Sequence, residues 1–131
     1  MEVESVLVTD GLSYYGRAAI ATALSLKLVI FATVKDEEEI QLLSEIFPGL
    51  NKKNIVKHSI DLDVELGLLT NGSYFDVIIN NEEEENFQVS ARCMNPFGKI
   101  FHFGKKDMKK NHSLGKKRRW WFTNITAPRS G

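Results

Sequence analysis

The sequence predicts an α/β domain built on a doubly wound parallel sheet of five to six strands. Short β-branched runs bounded by turn residues, such as 5–9 and 28–34, are typical of strands buried on both faces. Stretches rich in helix-forming residues lie between these runs. Because the two kinds of segment alternate, the strands should be parallel, with right-handed crossovers and helices on both faces of the sheet.

The elements are predicted in order from their patterns. The acidic run 36–39 suits the first turn of a helix, where carboxylates stabilise the helix dipole. Pro48 and Gly49 end that helix, and Asn71 with Gly72 ends the next. The predicted strands are 5–9, 28–34, 54–58, 75–80 and 99–103, with 120–126 as a sixth. The predicted helices are 17–26, 36–47, 62–69 and 82–94.

The first strand, the turn at 10–16 and the first helix form the opening of a Rossmann-like, nucleotide-binding unit. In such units the helix N-terminus faces a phosphate, and the fingerprint is G-x-G-x-x-G. Here it reads Gly11-x-Ser13-x-x-Gly16, so the glycine that lets a diphosphate approach the backbone is replaced. Ser13 either donates a hydrogen bond to a diphosphate or merely replaces a glycine in an unused site. The sequence therefore predicts the fold more strongly than the binding.

Composition narrows the class of protein. The 131 residues suffice for one domain, and a formal net charge of zero gives no general indication of a nucleic-acid or membrane partner. The single cysteine, Cys93, excludes an internal disulfide and fits a reducing compartment. The acidic start at Met1 and the absence of a long apolar run predict a cytoplasmic protein. The histidines and Cys93 lack ligand spacing, so no metal site is expected.

The segment 116–121 combines four basic residues with two tryptophans. Bases interleaved with aromatics are typical of nucleic-acid binders, although a solvated tail is the simpler interpretation. A third interpretation is that the tryptophans cover a sheet edge.

Several stretches together resemble the enoyl reductase domain of animal-type fatty acid synthase, a member of the medium-chain dehydrogenase/reductase group. The resemblance runs in register from about residue 5 to residue 115. The stretches that carry it are 6–8, 16–21, 31–34, 46–48, 76–80, 90–93, 98–105, 107–108 and 111–115. Residues 1–115 are accordingly interpreted as an NAD(P)-binding domain and 116–131 as a basic and aromatic C-terminal segment.

The resemblance implies an activity and a set of site residues. Enzymes of this family use NADPH to reduce a trans-2-enoyl thioester carried on acyl carrier protein, without a metal, and they are homodimers. Gly11 and Gly16 match the phosphate-loop glycines, and Ser13 replaces another. Further matches are Thr33 near the adenosine ribose, Asn80 at the end of the fourth strand near the cofactor, and Lys105 as candidate proton donor.

Two departures from the family leave the activity open. Where the family carries a lysine and an arginine near the 2′-phosphate of NADPH, this chain has the acidic run 36–39. Asp36 lies about twenty residues past Gly16, the spacing of the acid that binds the free ribose hydroxyl of NAD. The residues therefore favour NADH, whereas the resemblance favours NADPH. In addition, the family's substrate domain is absent, which suggests a fragment or a degenerate relative.

Two hypotheses follow. In the first, the chain is the nucleotide-binding part of an enoyl-acyl-carrier-protein reductase. In the second, it is a non-catalytic Rossmann-like module that acts through protein interaction. The substituted glycine and the acidic corner favour the second, and the register of the matches favours the first.

Overall fold

The computed structural model describes residues 4–82 and 87–103 of the chain. Five strands form one sheet in the order β3-β2-β1-β4-β5, and every pairing in it is parallel. This confirms the predicted doubly wound α/β fold. In chain order the elements are β1 (Ser5–Val8), α1 (Tyr14–Ser25), β2 (Val29–Val34), α2 (Glu37–Ile46), a 3₁₀ turn (Lys52–Asn54), β3 (Ile55–Lys57), α3 (Leu62–Leu69), β4 (Phe75–Asn80), α4 (Phe87–Ala91) and β5 (Met94–His102).

The strand order places β1 at the centre, between β2 on one side and β4 on the other. The chain builds outward from β1 to β3 and then returns across the sheet to begin again at β4. The carboxyl ends of β1 and β4 therefore form a topological switch point, where ligands of open α/β sheets bind.

Alternation along the strands separates the core into two apolar clusters, one on each face of the sheet. Val6 and Val8 of β1 pack on the face that α1 and α2 cover, whereas Leu7 between them packs on the opposite face. The first cluster also contains Ile20, Ala23, Ile30, Ala32, Val34, Leu43, Leu50 and Ile55. The second contains Phe31, Leu62, Leu66, Phe75, Ile78, Val89, Cys93, Met94 and Ile100. Both faces of the central strand β1 are buried, as its unbroken apolar run predicted.

The starts of α1 and β5 differ from the prediction by three residues or more. Helix α1 begins at Tyr14 rather than residue 17, because Ser13 acts as its N-cap. Strand β5 begins at Met94 rather than residue 99, so Asn95 and Pro96 lie in a strand. Pro96 is tolerated because, among the described residues, β5 pairs only with β4, and the pairing is irregular between Phe75 and Val77. The predicted sixth strand at 120–126 lies outside the described residues.

Candidate functional site at the carboxyl edge of the sheet

The turn after β1 is tied to β2 through its backbone. The Asp10 N–H donates to Thr33 Oγ1 at 3.0 Å, and the Gly11 N–H donates to the Thr33 carbonyl oxygen at 2.8 Å. Thr33, predicted near the adenosine ribose, is fully buried and holds the turn with both its side chain and its main chain. Asp10 adopts a positive φ of 51°, which reverses the chain toward α1.

The two retained glycines are required by close packing. A Cβ on Gly16 would overlap the Asp10 carbonyl oxygen and would lie 2.9 Å from Ser13 Oγ. A Cβ on Gly11 would lie 3.0 Å from Leu43 Cδ2 of α2 and 3.2 Å from Ile20 Cδ1 of α1. Gly16 thus brings α1 close to the turn, and Gly11 lets both helices close over it.

Ser13 fills the position of the missing glycine without strain, since its φ of −68° and ψ of 166° are ordinary extended values. Its hydroxyl donates to the Asp10 carbonyl oxygen at 2.8 Å and accepts from the Gly16 N–H at 3.0 Å. The hydroxyl proton is therefore used within the turn. The Tyr14 and Tyr15 N–H groups of the first turn of α1, which have no intrahelical acceptor, stay at the positive end of the helix.

The acidic corner after β2 is organised as a helix cap. Asp36 is the N-cap of α2, and its Oδ1 accepts from the Glu39 N–H at 3.0 Å. In return, Glu39 Oε1 accepts from the Lys35 N–H at 2.8 Å. This reciprocal arrangement resembles a capping box, shifted by one residue on the Glu39 side. The carboxylate predicted to bind a ribose, that of Asp36, is thus engaged at the start of α2.

A polar cavity of about 340 Å³ lies at this edge of the sheet. It is lined by Asp10, Val34, Lys35, Glu39, His58 and Glu82. His58 Nδ1 and Glu82 Oε2 lie 3.8 Å apart, which brings the ends of β3 and β4 together across the cavity. Three of the lining side chains are carboxylates, so the cavity disfavours a phosphate group unless Lys35 neutralises it.

Sequence reasoning identified the acidic run 36–39, which contains Asp36 and Glu39, for this corner but missed Lys35, His58 and Glu82. A signal for them was present, because all three come within two residues of the carboxyl end of a predicted strand. The carboxyl ends of parallel strands meet at one edge of the sheet, so residues just past them converge.

Asn80 lies at the centre of a buried hydrogen-bond network beneath the switch point. Its Oδ1 accepts from the hydroxyls of Thr9 and Ser90, both at 2.9 Å, and its Nδ2 donates to His102 Nδ1 at 2.7 Å. Thr9 Oγ1 also accepts from the Asn81 N–H at 2.8 Å. The network connects the ends of β1, β4 and β5, so Asn80 positions the floor of the site.

Aromatic side chains flank the helix N-terminus. The Tyr15 ring stacks on Phe103 with centroids 5.4 Å apart and planes at 23°, and it meets Tyr14 edge-on. Tyr14 is 76% exposed. These rings border the approach to the N-terminus of α1.

The remaining predictions concern the proton donor, a metal site and a membrane span. Lys105, the candidate proton donor, lies outside the described residues. Within 4–82 and 87–103, no three histidine, cysteine or acidic side chains come together in a way that could hold a metal ion. No helix in the same part of the chain has the length and apolarity needed to cross a membrane.

Comparison with known proteins gives the site its context. No family model matches the chain. Reducing polyketide synthase FUB1 of Gibberella moniliformis is 36% identical over 113 residues, which is 85% of this chain and 5% of the synthase. A highly reducing polyketide synthase of Didymella fabae is 34% identical over 113 residues, 85% of this chain and 6% of that protein.

A solved structure at 28% identity gives the resemblance a narrower description. The nucleotide-binding subdomain of the enoylreductase domain of PpsC from Mycobacterium tuberculosis superposes with a TM-score of 0.65 at 28% identity, over 80% of this chain and 57% of that one. The chain resembles this nucleotide-binding subdomain. Escherichia coli quinone oxidoreductase complexed with NADPH shares the fold, with a TM-score of 0.64 at 20% identity over 77% of this chain and 30% of the oxidoreductase.

These findings adjust the resemblance drawn from the sequence. The enoyl reductase likeness is supported, but the relatives found are polyketide synthases, so a specific kinship with animal fatty acid synthase is not. The chain spans about one-twentieth of the length of these synthases.

Proposed function

We propose that the chain binds a nicotinamide dinucleotide as the nucleotide-binding part of an enoyl reductase. The observation that carries the proposal is the turn after β1, where Gly11 and Gly16 bring the N-terminus of α1 to the switch point between β1 and β4. A helix N-terminus in this place is the usual seat of a dinucleotide diphosphate.

The residues present fit such a ligand in part. The N–H groups of Tyr14 and Tyr15 would receive the diphosphate, and the adenosine ribose would enter the cavity at the end of β2. Because Glu39 and Glu82 line that cavity, NADH with its free ribose hydroxyls fits it better than NADPH. Lys35 is the cation through which NADPH, the cofactor of the resembled family, would be accommodated.

The reaction proposed for the complete protein is reduction of an enoyl thioester carried on acyl carrier protein. When bound, the dinucleotide would supply the hydride that the β-carbon of the thioester accepts. Lys105 is proposed to deliver the proton to the α-carbon, since it follows the fifth strand as the family's candidate donor does. A substrate domain, a homodimeric assembly and a cytoplasmic location belong to the same proposal.

The test is calorimetric titration of the folded chain with NADH and, separately, NADPH. Micromolar binding of NADH with weaker NADPH binding is the expected result. If NADPH binds as tightly, Lys35 outweighs the carboxylates and the proposed preference is wrong. If neither dinucleotide produces heat or shifts the melting temperature, the binding proposal is wrong for this chain.

Two variants at Ser13 make the test specific to the diphosphate seat. Asp and Asn are both good N-caps, so Ser13→Asp and Ser13→Asn should each preserve α1. Ser13→Asp places a negative charge beside the diphosphate and should abolish binding, whereas neutral Ser13→Asn should retain most of it. Equal binding by the two variants would show that the ligand lies elsewhere.

A second candidate function is a non-catalytic module acting through protein interaction. It is favoured by one observation, the commitment of the Ser13 hydroxyl to the turn rather than to a ligand. A folded chain that binds neither dinucleotide would support it.

A further inference from the structure

An apolar groove runs along α1 on the face of the sheet that α1 and α2 cover. Those helices pack over β1, β2 and β3, but within the described residues no helix covers β4 on this face. Val77 and Ile79 of β4 are consequently only half-buried. Parallel sheets are normally covered on both faces, so this part of the face lacks a packing partner in the described chain.

The groove is wide enough for large side chains and nearly free of charge. Its volume is about 470 Å³. Along α1 it is bordered by Tyr15, Ala18 and Thr22, and at its far end by Leu26, which is 62% exposed. Glu4 is the one acidic residue among those that line it.

We propose that the chain's own segment 116–122 docks in this groove. The segment reads Lys-Lys-Arg-Arg-Trp-Trp-Phe, so three consecutive aromatic side chains follow four positive charges. Each large aromatic can remove about 150–250 Å² from water, and the groove offers an apolar surface for them. Docking would bury these aromatic side chains, which a solvated tail would leave exposed to water.

The charges around the groove also favour segment 116–122 as its occupant. The amino edge of the groove carries Glu4, and α1 ends there with no basic residue in its last turn. The C-terminal end of a helix is the negative end of its dipole, and cations near it are stabilising. The bases at 116–119 would complement Glu4 and this helix end while the aromatics enter the groove.

The connection is long enough. Phe103 directly follows β5 and itself lines the groove, so the connection to residue 116 starts at the groove. Twelve residues separate Phe103 from residue 116 and can span up to about 40 Å when extended. Helix α1 has 12 residues and is about 18 Å long, so the connection can reach either end of the groove.

Intrinsic fluorescence tests the proposal directly, because Trp120 and Trp121 are the only two tryptophans of the chain. In the 131-residue chain their emission should be blue-shifted and protected from acrylamide, and both properties should be independent of protein concentration. Protection that grows with concentration would assign the groove to a second copy and overturn the proposal. Emission of fully solvated tryptophan in the native state would overturn it as well.

A matched pair of variants on α1 ties the signal to the groove. Ala18 lines the groove and Ala21 does not, although both are exposed on the same helix. Ala18→Arg should obstruct the groove and repel the basic segment, which should red-shift the emission and raise the acrylamide quenching constant roughly twofold or more. Ala21→Arg should leave both unchanged. Identical fluorescence of the two variants would place the tryptophans elsewhere.

A charge reversal gives an independent measurement should Ala18→Arg fail to fold. Glu4→Lys alters an exposed residue at the groove's edge and should weaken docking, and the effect should shrink at high salt because exposed charges are screened. An unchanged quenching constant for Glu4→Lys at low salt would contradict the assignment of the basic residues to that edge.

Discussion

The corner after β1 and the corner after β2 lie side by side at the carboxyl edge of the sheet, yet they are built differently. The first is fixed by main-chain groups and a neutral hydroxyl: Gly16 packs against the Asp10 carbonyl, and Thr33 accepts from the Asp10 N–H with its hydroxyl and from the Gly11 N–H with its carbonyl oxygen. The second is fixed by carboxylates, those of Asp36 and Glu39, which cap α2 and its approach.

The difference shows which substitutions each corner tolerates. In the first corner a serine replaces a glycine at no backbone cost, since it adopts extended dihedral angles and caps α1. In the second corner the acids that oppose a 2′-phosphate also stabilise the start of α2. Affinity for a 2′-phosphate is therefore linked to the capping of α2 after β2, whereas the residue that caps α1 after β1, Ser13, is uncharged.

The largest effect expected from breaking the first corner comes from Gly16→Ala. The added methyl group overlaps a backbone carbonyl that cannot move without displacing the turn, and overpacking of this kind costs about 3 kcal/mol. Urea denaturation measures the loss. Gly49→Ala is the matched control, because its Cβ would come no nearer than 3.7 Å to Leu24 and should change stability by less than about 0.5 kcal/mol. Equal stability of the two variants would show that the turn is not tightly packed.

The next largest effect tests the buried hydrogen-bond network of Asn80, which lies beneath the switch point. Asn80→Ala leaves the hydroxyls of Thr9 and Ser90 and the His102 ring without their shared partner, which should cost about 2–3 kcal/mol in the free energy of unfolding. Ser90→Ala removes one hydroxyl whose partner keeps its other bonds, and should cost about 1 kcal/mol. Denaturation of both variants checks the order, and a smaller loss for Asn80→Ala would contradict the central role of Asn80.

A smaller effect tests whether Ser13 stabilises α1 as its N-cap. Ser13→Ala should destabilise the chain by about 1 kcal/mol, whereas Ser13→Gly should cost only a few tenths. Ser13→Gly also restores the glycine of the fingerprint, so it should bind NADH more tightly than the wild-type chain. Thermal denaturation and calorimetry measure the two consequences. Weaker NADH binding by Ser13→Gly would mean that the serine itself contacts the ligand.

The sequence predicted the order of strands and helices because that order follows from local patterns, and unbroken apolar runs mark strands buried on both faces. Sequence reasoning missed the start of α1 because Ser13 occupies a glycine position of the fingerprint. Its role as N-cap is visible only in the folded turn, where its hydroxyl accepts from the Gly16 N–H. Sequence reasoning also placed Met94 in a helix because Asn95 and Pro96 look like a turn, whereas the strand pairing overrides that local preference.

The candidate site was predictable only in part. Gly11 and Gly16 were found because a turn between strand and helix has a fixed spacing. Asp36 was placed on the ribose by spacing alone, but spacing does not reveal that its side chain caps α2, and the carboxylates that line the cavity are those of Asp10, Glu39 and Glu82. The partners of Asn80 lie 10, 22 and 71 residues away in the chain, a convergence that only the folded sheet creates.

The smallest expected effect comes from a variant of the second corner that removes a charge near the phosphate but keeps the capping hydrogen bond. Glu39→Gln keeps an acceptor for the Lys35 N–H but removes the charge from the cavity. At a surface site, one charge removed near a phosphate is worth about 1 kcal/mol, so NADPH should bind about fivefold more tightly while NADH changes little. Glu38→Gln, exposed and not part of the cavity lining, is the control and should alter neither affinity. If both variants raise NADPH binding equally, the repulsion comes from the overall acidity of the run 36–39. If only Glu39→Gln does, a single carboxylate held in place by the cap sets the cofactor preference.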